Sequence, residues 1–262
     1  MKSVLITGAS FGLGLAMARH FLDRGFTVHG CGRTEANVAS AARELPAMKM
    51  MRADVAVAAD RERLLQAATA AGDLDILVNN AAIVRAHDYT NDFTLAADRA
   101  RDEIEINFAA PVELTRMFLH WRRRAGRDDL PAIVANIGTP GALFPLEANM
   151  MYSASKAGFH MFTLALRRQM RGTPVKVCEV FPPALDTNLA NQLDVANQVG
   201  QGAEVIDACA RNSVEAILAG QEVILPHPDA ASLVEAMAPR YDEQMLDYIN
   251  SRVRRRPGWD RP

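Results

Sequence analysis

The sequence has no excess of charge of either sign, no long hydrophobic run and very little cysteine. Formal net charge over 262 residues is −2, which removes the basic surplus that nucleic acid or an anionic membrane attracts. The three cysteines, Cys31, Cys178 and Cys209, are odd in number and far apart. They exclude a cysteine metal cluster, so no metal is expected, and they read as small buried apolar residues of a reducing compartment. The first apolar run, Val4-Leu5-Ile6, is far shorter than a signal peptide or a membrane span requires. The expectation is therefore a cytoplasmic protein with no membrane and no nucleic-acid partner. No internal repeat or low-complexity linker divides the chain. The arginine groups Arg122-Arg123-Arg124 and Arg252 to Arg256 read as solvated cations that close helices.

What is present suits one soluble α/β domain spanning 1–262, since 49% of the residues are hydrophobic and 23% charged. The chemistry centres on Tyr152-Ser153-Ala154-Ser155-Lys156. A Tyr and a Lys four positions apart lie on one helix face, with only small residues between them. A phenol titrates near ~10, and a fixed ammonium favours its anion. Such a pair can exchange a proton with a carbonyl or alcohol oxygen. An isolated match would equally describe a solvated helix surface, so its weight depends on the rest of the chain.

Val4-Leu5-Ile6 reads as a first strand, Leu15 to Phe21 as a first helix, and Thr7-Gly8-Ala9-Ser10-Phe11-Gly12-Leu13-Gly14 as the turn between them. Glycines there permit a tight turn and close approach to a ligand. The helix N-terminus offers free amides and a positive dipole end to a pyrophosphate, and Ser10 can add a hydroxyl. Phe26 to Gly30 is the second strand and ends at Cys31-Gly32-Arg33-Thr34, where a dinucleotide-binding unit reads the adenosine ribose. No acid stands there to hold a 2′-hydroxyl, and Arg33 is available for a 2′-phosphate, which favours NADP(H) over NAD(H). Arg33 as a plain exposed residue, paired with Glu35, is the other reading.

Helices at Glu35 to Leu45 and Asp60 to Ala71 alternate with strands at Met48 to Arg52 and Leu74 to Asn79. That rhythm predicts a Rossmann-type, doubly wound parallel sheet of about seven strands with helices on both faces. Asp54-Val55 follows the third strand, where the carboxylate either meets an adenine amino group or caps a turn. Asn79-Asn80-Ala81-Ala82 ends the fourth strand, at the carboxyl edge where ligands bind in such sheets. Strands Ala132 to Ile137, Val175 to Phe181 and Gln221 to Leu225 complete the set. Helices at Arg101 to Arg124 and Tyr152 to Arg171 carry apolar residues on more than one face, which predicts a symmetric interface, a homodimer or homotetramer. The span 188–220 reads as a lid over the substrate, and 226–262 as a tail with a helix around Tyr241 to Val253.

Taken together, the motifs resemble the single-domain branch of the short-chain dehydrogenase/reductase family. The resemblance runs from Val4 to about Leu225. It rests on Thr7-Gly8-x-x-x-Gly12-x-Gly14, Asp54-Val55, Asn79-Asn80-Ala81, Asn107, Tyr152-x-x-x-Lys156 and Pro182-x-x-x-x-Thr187, all in family order. The stretches 181–187 and 164–170 are also similar to a bacterial subgroup named for D-alanine esterification of teichoic acids. The resemblance implies hydride transfer between NAD(P)(H) and a carbonyl or alcohol carbon of a small molecule. Tyr152 would be the acid/base, and Lys156 would lower its pKa and hold the nicotinamide ribose. Asn107 would anchor a relay water, Asn80 and Ala81 would line the adenosine ribose, and Thr187 would bond the carboxamide. Three positions depart from the family pattern: Thr139 replaces its Ser, Pro183 its Gly after Pro182, and Ala82 its last Gly.

The site expected from these readings places Asn107, Thr139, Tyr152 and Lys156 in catalysis. Gly8, Ser10, Phe11, Gly12, Leu13, Gly14, Arg33, Asp54, Val55, Asn80, Ala81, Tyr152, Lys156, Pro182 and Thr187 would hold the cofactor. Thr139, Phe144, Tyr152 and Leu185 would meet an apolar substrate. The alternative function is a weakly catalytic NADP(H)-binding sensor or scaffold, suggested by Thr139 and Pro183.

Overall fold

Strand residues alternate between two cores. In the computed structural model, which describes residues 2–90, 96–185, 202–237 and 244, Val4 and Ile6 of β1 (Ser3–Ile6) join one core, while Leu5 joins the other. In β4 (Ile76–Asn79), Ile76 and Val78 separate from Leu77 in the same way. This is the period of two along a strand, with both faces covered. Between β1 and β4 come α1 (Gly12–Asp23), β2 (Thr27–Gly32), α2 (Glu35–Glu44), β3 (Lys49–Arg52) and α3 (Ala58–Thr69).

After β4 the chain forms α4 (Ala96–Ile104), a π-helical turn (Glu105–Ala109), α5 (Ala110–Arg124) and β5 (Ala132–Ile137). Two short 3-10 turns, Pro140–Ala142 and Glu147–Asn149, lead into α6 (Met150–Gln169) and β6 (Val175–Val180). The described residues end with α7 (Ala203–Leu218), β7 (Val223–Ile224) and α8 (Pro228–Met237). The seven strands are all parallel, in the order β3-β2-β1-β4-β5-β6-β7. The order reverses between β1 and β4, so a crevice opens at their carboxyl ends. Helices α1 and α7 pack together on one face, and α5 and α6 lie on the other.

The predicted long helix Arg101 to Arg124 is instead two helices joined by the π-turn, and it begins earlier, at Ala96. The predicted lid is revised where it is described. Ala203–Leu218 is a core helix whose Cys209, Ala210, Val214 and Ile217 are fully buried against α1. The remainder of the lid at 188–201, Thr187 and all but one residue of the predicted tail helix lie outside the described residues. Cys31, Cys178 and Cys209 are free and buried. Among the described residues no helix is long and apolar enough to cross a membrane, and no cluster of His, Cys, Asp or Glu can hold a metal ion.

Arg122 corrects the reading of the arginine run as solvated. It is only 2% exposed. Its guanidinium donates to the carbonyls of Arg127 (2.7 Å), Leu130 (2.5 Å) and Leu74 (3.4 Å), and stacks over Phe118. A planar five-donor fork can close three carbonyls at once. Burial lowers its pKa, opposed by the Asp75 charge. Arg122→Leu is expected to cost about 2–4 kcal/mol in urea unfolding, because buried carbonyls lose their donors. A cost below about 0.5 kcal/mol, as at an ordinary surface site, would return Arg122 to the solvated class.

Candidate active site

A cavity of about 420 Å³ lies over the carboxyl ends of β1, β4 and β5. Its first wall is the glycine turn. Gly8 has φ +64°, which an L side chain rarely adopts. At Gly14 an added Cβ would stand 2.4 Å from the Gly8 carbonyl oxygen and 2.5 Å from Asn80 Nδ2. Glycine is therefore required for helix, turn and strand to meet. The α1 N-terminus has Phe11 as N-cap without a side-chain bond, and no acid in its first turn. Its amides and dipole end face the cavity uncapped, a chemistry that suits a phosphate-bearing ligand. Thr7 and Asn80 clamp this wall. Asn80 Nδ2 donates to the Thr7 (2.8 Å) and Gly8 (3.1 Å) carbonyls, while Thr7 Oγ1 accepts from the Asn80 and Ala81 amides at 3.0 Å.

Gly8, Ser10, Phe11, Gly12, Leu13, Gly14, Arg33, Asp54, Val55, Asn80 and Ala81 all line the cavity. Arg33 is exposed, and its carbonyl accepts from Arg52 Nε at 3.3 Å. Asp54 lines the cavity and also accepts the Ala56 amide at 3.0 Å, so it closes a turn whichever ligand it faces. Asn37 and Thr34 also line this end. Neither carries a sequence signal beyond its position after β2.

At the other end lie Gly138, Thr139, Tyr152, Lys156, Pro182, Pro183 and Leu185. Strand β5 carries Thr139 just past its end, and α6 carries Tyr152 and Lys156 one turn apart. The Thr139 hydroxyl stands beside the Tyr152 phenol and favours its anion, and Thr139 Oγ1 accepts the Gly141 amide at 3.3 Å. The Lys156 ammonium donates to the Ile137 carbonyl at 2.9 Å and lies 5.6 Å from the Phe159 ring centroid. Burial brings its pKa down to about 8, opposed by the Glu179 charge.

Tyr152 departs from the expectation that Lys156 lowers its pKa. Burial pushes the phenol up to about 12, against the Thr139 hydroxyl and with a further push from the Glu103 charge. Desolvation of the phenolate dominates here, because Lys156 turns its ammonium to a backbone carbonyl. The phenol keeps its proton throughout the neutral range and is poised to donate it.

Two expected residues stand elsewhere. Phe144 does not line the cavity; its carbonyl accepts from Ser153 Oγ at 3.5 Å, and Leu146 and Asn149 stand at the wall instead. Asn107 is fully buried behind the lining, inside the π-turn. Its Oδ1 accepts the Ile83 amide (2.9 Å), and its Nδ2 donates to the Ile83 carbonyl (2.9 Å) and Ser155 Oγ (3.1 Å). The side chain thus fixes the loop after β4 to the helix that carries Tyr152 and Lys156, with both amide hydrogens used and one lone pair of Oδ1 left over. Sequence reasoning placed Asn79 at the edge of the site. It lies behind it, in a buried run in which Asn79 Nδ2 donates to Asn136 Oδ1 and Thr115 Oγ1, and Asn136 Nδ2 donates to Thr163 Oγ1.

Comparison with known proteins agrees with this architecture. The sequence model of the short chain dehydrogenase family matches residues 2–198. A Bacillus subtilis (strain 168) protein named uncharacterized oxidoreductase DltE is 40% identical over 191 residues, 72% of this chain and 73% of that one. A short-chain dehydrogenase/reductase from Burkholderia phymatum, solved with NAD, has a TM-score of 0.78 at 22% identity, covering 98% of this chain and 97% of that one. A Sphingobium yanoikuyae short-chain dehydrogenase, solved with NADPH, has a TM-score of 0.76 at 22% identity, covering 97% of each chain. With sequence and fold in agreement, the chain belongs to the short-chain dehydrogenase/reductase family of NAD(P)-dependent oxidoreductases.

Proposed function

We propose that this protein is an NADP(H)-dependent reductase of small carbonyl compounds, with Tyr152 as the proton donor. The observation that carries the reading is the placement of Thr139, Tyr152 and Lys156 on one wall of a cavity whose opposite end is an uncapped helix N-terminus. The glycine turn, Ser10 and the α1 amides would hold the pyrophosphate. Asp54, Val55, Asn80 and Ala81 would line the adenosine. Lys156 would hold the nicotinamide ribose beside Pro182, and Thr187 would bond the carboxamide. When bound, the nicotinamide supplies the hydride that the protein itself has no means to carry.

The chain's own residues orient the substrate and move the proton. Thr139 donates a hydrogen bond to the carbonyl oxygen. Tyr152, which holds its proton at neutral pH, transfers it to that oxygen as negative charge develops there. Asn107 holds α6 and the Ile83 loop in register and so positions both groups. Ile83, Val84, Leu146 and Leu185 make the substrate end apolar, which excludes water from the reacting carbonyl and suits a substrate with little polarity beyond that group. Because the phenol binds its proton tightly, the reverse reaction needs the phenolate and is expected to rise about tenfold per pH unit below the Tyr152 pKa. Partly exposed apolar residues on α5 and α6, with Met161 52% exposed, support a homo-oligomer. The three free, buried cysteines suit a reducing compartment such as the cytoplasm.

A panel of aldehydes and ketones with NADPH tests the reading. Turnover of apolar members supports it, whereas tight NADPH binding with no turnover across the panel would favour a sensor or scaffold. Arg33 is expected to read the 2′-phosphate. Arg33→Ala should weaken NADPH about 10- to 100-fold, the worth of one or two charge-assisted hydrogen bonds, and leave NADH nearly unchanged. Equal loss for both dinucleotides would show that Arg33 does not discriminate.

A further inference from the structure

A second buried acid–base pair lies one helical turn from Lys156. Glu179 of β6 is 1% exposed. Both of its carboxylate oxygens lie within hydrogen-bond distance of His160 Nδ1, at 3.0 and 2.9 Å. A carboxylate has no proton to give, so Nδ1 carries the hydrogen and donates it. His160 is held from its other side by an edge-on contact with the Phe181 ring. Lys156 and His160 are four residues apart on α6 and therefore share a face. The sheet brings Glu179 to that face, since it pairs in register with Asn136, whose side chain also reaches α6 at Thr163.

Both charges rest on the same stretch of backbone. Lys156 Nζ bonds the Ile137 carbonyl, and Glu179 Oε1 would stand 3.0 Å from a Cβ at Gly138. The charged groups around Glu179 are few. Helix α6 offers Lys156, His160 and Arg167. Strands β5 and β7 carry no charged side chain. Arg167 donates its Nε to the Val177 carbonyl and lies 3.7 Å from Glu222. Glu179 is the charged group that acts on Lys156.

We propose that Glu179, oriented by the His160 ring, is a positioning residue that keeps Lys156 cationic in its buried site. A carboxylate without a donor at this depth would take up a proton and lose its charge. Burial raises the Glu179 pKa and the His160 hydrogen bond opposes that rise, so the two residues act as a unit. The ammonium in turn retains the charge that a ribose hydroxyl and the Tyr152 proton transfer require. The use of that charge rests on the Tyr152–Lys156 reading above; its origin in Glu179 does not.

The chain contains only four lysines, Lys2, Lys49, Lys156 and Lys176, and the other three are exposed. Titration of the ¹³C-lysine-labelled protein, followed at Cε, therefore reads Lys156 as a single distinct resonance, assigned by its loss in Lys156→Met. In Glu179→Gln the Lys156 midpoint is expected to fall by about 1 pH unit or more. Glu179→Asp should restore much of it, and His160→Phe should lower it as Glu179→Gln does. Coincident Lys156 titrations in wild type and folded Glu179→Gln would overturn the proposal. If Glu179→Gln does not fold, an unchanged midpoint in His160→Phe overturns it equally. A shifted Lys156 midpoint alongside full turnover in Tyr152→Phe would keep this inference and remove the proton-donor reading. An unshifted midpoint with inactive Tyr152→Phe would do the reverse.

Discussion

Tyr152→Phe is expected to bind NADPH as the wild type does, while carbonyl reduction falls by about 10²- to 10⁴-fold, the usual contribution of a positioned general acid. The substitution removes one hydroxyl and keeps the ring that packs in the cavity wall. Its fold and affinity effects are therefore small, and the loss should lie in kcat. Thr139 would remain as donor to the substrate oxygen, which accounts for residual turnover. Thr139→Ser should stay active, since the hydroxyl beside Tyr152 is kept. A variant retaining more than about a tenth of wild-type kcat would remove Tyr152 as the acid, because so small a loss is below what proton donation contributes.

The second large effect is expected at the opposite end of the cavity. Gly14→Ala places a methyl 2.4 Å from the Gly8 carbonyl oxygen and 2.5 Å from Asn80 Nδ2. Neither neighbour can yield easily. The first is backbone, and the second is tied by two hydrogen bonds to the Thr7 and Gly8 carbonyls. Helix α1 must move away from the turn, which spoils the amide array and overpacks the core at a cost of about 1–3 kcal/mol or more. NADPH and NADH binding should both weaken by at least about tenfold. Gly25→Ala is the control. Unlike Gly14, Gly25 has a positive φ of +77°, but nothing lies within 4 Å of its added Cβ. It should cost about 1 kcal/mol through backbone strain alone and leave binding intact. Unchanged dinucleotide binding in a folded Gly14→Ala protein would show that the turn does not form the binding wall.

The parts legible in the sequence are those written locally. Short, largely apolar runs alternating with helical stretches gave the seven parallel strands in order, and the glycine spacing placed the turn between β1 and α1. The Tyr152–Lys156 spacing placed both groups on one helix face. Other features depend on neighbours distant in the chain. Arg122 looks like one of three solvated arginines until the carbonyls of Leu74, Arg127 and Leu130 close around it. The Asn79–Asn136–Thr163 run and the Glu179–His160 pair join residues 27, 57 and 19 positions apart, which no local pattern shows. The π-turn has no residue signature of its own; a proline at its end, Pro111, also suits an ordinary helix start. Phe144 failed because proximity to Thr139 in the chain was taken for proximity in space. Two short 3-10 turns redirect that segment and bring Leu146 and Asn149 to the wall. The Tyr152 pKa failed because a pair on one face was taken to interact, whereas the ammonium is bonded to the Ile137 carbonyl and burial prevails.

On the function proposed above, this cavity holds a nicotinamide dinucleotide with its phosphates on the α1 N-terminus. The most direct measurement is titration of the purified protein with NADPH and with NADH, followed by nicotinamide fluorescence. Saturable binding of both, tighter for NADPH and lost in Gly14→Ala, is the result this account predicts. Binding of neither dinucleotide would contradict it.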